Sequence, residues 1–180
     1  MKTDLITIDN QGGGFEEALE ETRRAAGYRG LDRQSALHLQ LLTEELLSMA
    51  RSVTGEMKGE FWIESEGSRF EMHLSTETVL DREKREQLLS AATSRKNEAA
   101  GTFLGRLRDA FETAMAADTD YSRYELPEDL LADLANHPIE PMDKEWDGYE
   151  ASIMRRVADE VKIGIRGGRV DMTVVKDLDK

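Results

Sequence analysis

Between Leu31 and Gly55 the chain places Leu39, Leu42, Leu46, Met49 and Val53 at spacings of three and four. This is the pattern of a long helix with one core-facing stripe. Leu37, Leu41, Glu44 and Ser48 recur at four, three and four on roughly the opposite side of the same helix. A helix apolar on two sides is expected to be covered on both, which would bring Glu44 and Ser48 against a second layer or a cleft. Asp32 is a suitable N-cap for this helix. A shorter helix is expected from Phe15 to Ala26, with glutamate early and arginine late, as the helix dipole favours. Gly27 and Gly30 flank an expected loop around Tyr28.

Elsewhere the period drops to two. Phe61 and Ile63 alternate with Trp62 and Glu64; after a turn at Glu66-Gly67, Phe70, Met72 and Leu74 alternate with Glu71 and His73. Val161, Ile163 and Ile165 alternate with Lys162, Gly164 and Arg166, and beyond Gly167-Gly168 the pattern continues through Val170, Met172 and Val174. Each run reads as a hairpin with one apolar face. Leu5 to Ile8 suggests a short first strand, ended by Gly12, Gly13 and Gly14. No Gly-Lys-Ser or Gly-Lys-Thr follows that triple glycine, so a turn is the better reading than a phosphate loop. Further helices are expected over Asp81–Ser94, Ala99–Ala117 (Phe103, Leu104, Leu107, Phe111 and Met115 form its stripe) and Glu150–Asp159. Hairpins and helices together predict an α/β (α+β) two-layer sandwich, a single domain over 1–180 with one sheet covered by helices on one face.

Charge changes the picture next. The 180 residues carry a formal net charge of −13, which disfavours nucleic acid and anionic membrane as partners, both being polyanions. The acid is concentrated in 118–150, which also holds all three prolines, Pro127, Pro138 and Pro141, and has Arg123 and Lys144 as its only basic residues. This stretch reads as an irregular excursion with one short helix near Glu128–Leu134. It is either a solvated surface or a functional segment. With no cysteine, disulfides, zinc-thiolate sites and thiol catalysis are excluded. His38, His73 and His137 show no metal-ligand spacing. The first residues are too polar for a signal peptide and no stretch reaches the ~20 apolar residues of a membrane span, so a cytoplasmic location is expected.

Thr43-Glu44-Glu45-Leu46-Leu47-Ser48 on a long helix, a hairpin, Leu74-Ser75-Thr76-Glu77-Thr78, Gly101-Thr102-Phe103-Leu104-Gly105 opening a helix and a closing hairpin follow in that order. This order, from Leu5 to Lys176, resembles the GHKL ATPase superfamily, nearest to the histidine-kinase-like domain of anti-sigma-factor serine kinases. The resemblance implies a mixed, mostly antiparallel sheet, ATP and Mg²⁺ as cofactors, and a protein partner such as a transcription regulator, with a homodimer as a compatible assembly. Glu44 stands at the family's catalytic glutamate. Ser48 stands where the family has the Mg²⁺-binding asparagine, which makes it the implied cofactor and metal residue. Its hydroxyl is a shorter and poorer orienting group than a carboxamide. Gly101 and Gly105 suggest the phosphate-side glycines, whose amides at a helix start could bind an anion or simply allow a tight turn. The family's Asp-x-Gly-x-Gly is absent: LSTETVLD occupies its place.

Two functions follow. One is an ATP-dependent serine/threonine kinase or related regulatory ATPase with a degraded nucleotide site. The other is a non-catalytic interaction scaffold using 118–150, with Tyr121, Tyr124, Trp146 and Tyr149 as anchors, either for a partner or for its own domain.

Overall fold

The structure, a computed structural model, describes residues 1–54, 58–100 and 154–179. Its elements run β1 (Ile6–Asp9), α1 (Phe15–Tyr28), α2 (Arg33–Thr54), β2 (Lys58–Glu66), β3 (Arg69–Glu77), α3 (Arg82–Ala91), β4 (Glu160–Arg166) and β5 (Arg169–Asp177). A short 3₁₀ turn at Glu98–Ala100 follows α3, and residues 154–157 are helical. The expected helix over Ala99–Ala117 and the excursion at 118–150 lie outside the described residues, apart from the start of the former, which is 3₁₀.

The five strands form one sheet in the order β1-β2-β3-β5-β4, and every pair is antiparallel. Both expected hairpins are present, and β3 joins them by pairing with β5, Leu74 opposite Met172. The second hairpin turns on Gly167 and Gly168 with φ of 59° and 80°, the left-handed pair that a tight two-residue connection between twisted strands requires.

Alternation sorts the side chains. Phe61, Ile63, Phe70, Met72, Leu74, Val161, Ile163, Ile165, Val170, Met172 and Val174 are all buried on one face. Against them pack Ala18, Ala25 and Ala26 of α1, Leu39, Leu42, Leu46, Leu47, Met49 and Ala50 of α2, and Leu88 and Ala91 of α3, in one apolar cluster. The two long helices are keyed by a buried hydroxyl pair. The Thr22 and Thr43 hydroxyls lie 3.0 Å apart, each also within 3.0 Å of the carbonyl four residues back in its own helix. With one proton apiece, one hydroxyl donates across the pair while the other donates to its helix carbonyl. Asp32 caps α2 by accepting from the Ser35 amide at 2.7 Å, which holds its carboxyl below the ordinary range. The helix α1 runs through Gly27 to Tyr28, past the loop expected there. Continuing the helix leaves the chain to reverse at Gly30, which adopts φ 66°.

Both sheet edges are covered, which limits pairing with other chains. At β1, Gly14 lies so close that a Cβ there would sit 2.1 Å from the Thr7 carbonyl oxygen. This explains why the turn needs glycine at that point. At β4, Thr93 donates its amide to the Val161 carbonyl at 2.9 Å and accepts the Val161 amide on its hydroxyl at 2.7 Å. Four residues on, the buried Asn97 side chain accepts from the Ile165 amide at 2.8 Å and donates to the Ile165 carbonyl at 2.9 Å. One side-chain amide thus takes the place of a neighbouring strand.

Candidate functional site

The residues singled out on α2 share one face, as their spacing requires, and among the described residues that face is not covered throughout. Leu37 is 53% exposed, Glu44 is exposed, and Leu41 and Ser48 are half-buried. The expected covering layer over Glu44 and Ser48, to which 118–150 would contribute, lies outside the described residues. The sheet and α1 take the side of α2 that carries Leu39, Leu42, Thr43, Leu46 and Ala50, and Glu44 points away from it. Helical periodicity identifies a face; it does not say what lies over it. Gly101 and Gly105 lie outside the described residues. Ser75 and Thr76, in the stretch that replaces the family's second motif, end β3 as buried residues. Ser75 donates to Asp171 at 2.6 Å and Thr76 to the Lys58 carbonyl at 3.2 Å.

A denser polar constellation lies on the other side of the sheet, away from the helices. Register places Trp62, His73, Thr173 and Lys162 side by side across β2, β3, β5 and β4. The Trp62 and His73 rings stack with centroids 4.9 Å apart and planes within 10°. Beyond Trp62, the Lys2 ammonium lies 5.2 Å from the indole centroid, within cation–π range. Lys2 and the Trp62 indole N–H both donate to the same Glu64 oxygen, at 2.9 and 3.0 Å. Those bonds, Lys2 first, lower the Glu64 carboxyl below its ordinary value. On the far side of the stack His73 Nδ1 lies 3.0 Å from the Thr173 hydroxyl.

Several carboxylates of this face are matched to a cation close by: Arg69 to Glu71 at 2.8 Å, Arg169 to Asp171 at 3.0 Å, and Lys162 to Glu160 at 3.2 Å. Glu64 and Glu71 face one another across β2 and β3, a like-charge juxtaposition that costs stability unless each is neutralised. Lys2 and Arg69 supply that neutralisation. At the end of the face, Met1, Lys2, Arg29, Glu64, Ser65, Glu66, Gly67, Arg69 and Glu71 line an open groove of about 640 Å³. Arg29 enters it from the end of α1 and donates to the Ser65 carbonyl at 2.6 Å and hydroxyl at 3.1 Å.

In the sequence Trp62 and His73 stand only as outward positions of two alternating strands. Their alternation with apolar neighbours was the available signal, but stacking depends on which residues stand opposite, and register supplies that. Among the described residues no three metal-ligating side chains gather around a common point, and no helix is long and apolar enough to cross a membrane. Compared with models of known families and with curated proteins, the chain matches none.

Proposed function

We propose that the chain is a regulatory binding domain, similar in plan to the GHKL sandwich, that serves as a scaffold without phosphoryl transfer and acts through a protein partner with a basic surface. The observation that carries this reading is the exposure of Glu44. Phosphoryl transfer depends on donors and metal preorganised in a site sheltered from water, and a solvated carboxylate is poorly placed to serve one. Ser48 in the metal position and the missing Asp-x-Gly-x-Gly weigh the same way. The partner chemistry follows from charge: 118–150 holds eleven carboxylates against Arg123 and Lys144. Exposed charge of one sign steers a partner of the other sign and is screened over about 8–10 Å at physiological ionic strength. A transcription regulator is the partner class that the resemblance brings with it, and a cytoplasmic setting goes with that partner class.

Titration calorimetry with ATP and ADP, each with and without Mg²⁺, tests the loss of phosphoryl chemistry. No binding is expected at micromolar nucleotide. Micromolar affinity abolished by Glu44→Ala would overturn the reading in favour of a retained ATPase site. Removing 121–144 tests the binding segment: the far-ultraviolet circular dichroism and cooperative melting of the remainder are expected to persist. Unfolding of the deletion variant would make the segment a structural cover.

A further inference from the structure

His73 meets a different chemistry on each side. Trp62 and Glu64 approach from β2, Lys2 from the segment before β1, Glu71 from its own strand, Thr173 from β5 and Lys162 from β4. Its Nδ1 is bonded to the Thr173 hydroxyl, while its buried Nε2 has no hydrogen-bond partner. The nearest acceptor to that nitrogen is Glu71 Oε2 at 3.6 Å, a few tenths of an ångström too far. The other oxygen of the same carboxylate holds the Arg69 guanidinium at 2.8 Å, and Arg69 lines the groove with Arg29 and Lys2.

We propose that His73 is a proton-operated switch on the outer sheet face, whose charging draws the Glu71 carboxylate from Arg69 toward the imidazole and so changes the cationic wall of the groove. An imidazolium has two N–H donors. Thr173 accepts one, and the second is satisfied only if Glu71 closes on Nε2. The carboxylate that moves is the one that neutralises Arg69, so a proton taken up by His73 beside the groove leaves a less committed guanidinium in its wall. The resting state is neutral. Burial opposes the charged ring most, Lys2 and Lys162 oppose it further, and the attraction of Glu64 and Glu71 does not compensate, so His73 titrates below its ordinary value.

The test follows the His73 Cε1–Hε1 and Arg69 Nε–Hε signals of the full chain by NMR as pH falls. His73 is expected to titrate below the ordinary 6.5, with the Arg69 signal moving at the same midpoint. Glu71→Gln should shift the His73 midpoint to lower pH and abolish the Arg69 response. Lys162→Gln, a change at a half-exposed side chain, should shift it to higher pH. A His73 midpoint at or above 6.5 overturns the proposal, as does an Arg69 signal that ignores it. If Glu71→Gln does not fold, an Arg69 signal that does not follow the His73 titration in the unaltered chain is sufficient to reject it.

Discussion

Phe61 and Trp62 are consecutive residues of one strand, and they occupy different media. Phe61 is fully buried under the helices, where its neighbours are apolar and its contribution is transfer from water plus close packing. Trp62 lies half-buried on the outer face between an ammonium and an imidazole, with its N–H on a carboxylate. The inner face is held by shape and the outer one by partnered charge. Ion pairs at a wet surface contribute little each, so the difference teaches where stability and where responsiveness reside. The inner face should set whether the chain folds, and the outer face how it answers to pH and salt.

The largest effect expected breaks the inner face. Phe61→Ala should cost about 3–5 kcal/mol, the usual toll for emptying an aromatic site in a packed core, measured by denaturant unfolding. Trp62→Ala should cost less than half as much; equal losses would erase the distinction between the faces. Next comes the sheet edge. Asn97→Ala removes both partners of Ile165 at β4 and should cost about 1–3 kcal/mol, as stranded buried backbone groups do. Thr43→Val, which strips the hydroxyl that keys α1 to α2, should cost about 1 kcal/mol.

A pH series sharpens the contrast without a core mutation. The fold holds His73 below its ordinary value, chiefly by burial, so the unfolded chain binds the proton more readily. Stability from this residue is complete above about pH 6.5 and declines as pH falls through the lowered folded value. His73→Gln should flatten that decline, read from melting temperature at successive pH values. The smallest effect is expected at α2: Glu44→Ala should change stability by no more than about 0.5 kcal/mol, as exposed substitutions usually do.

Much of the inner face was legible in the chain. Leu39, Leu42, Leu46 and Met49 lie in the core where their spacing put them, and both hairpins form, with the glycine pair at 167–168 in its turn. These features depend on local period and local turn chemistry. The features that local period does not encode depend on distant partners. Nothing in the sequence says that β3 takes β5 as its neighbour, so the row from Trp62 to Lys162 could not be read. Asn97 sits in a short polar stretch without periodicity, and its role appears only when Ile165 is placed beside it. Glu44 shows the limit of period: the helical face is as its spacing sets it, and what lies over that face depends on segments outside the described residues.

The joint between β3 and β5 has a consequence in time. His73 and Thr173 touch across the sheet but stand 100 residues apart. Along a growing chain, β1, α1, α2, β2 and β3 all leave the ribosome well before β5 exists. For that interval β3, central in the finished sheet, is a bare apolar edge carrying Phe70, Met72 and Leu74. At about 5–20 residues per second the wait lasts several seconds or more. Nascent chains of this protein are therefore most vulnerable to mispairing before the last hairpin emerges, and β3 is where a chaperone would have most to protect.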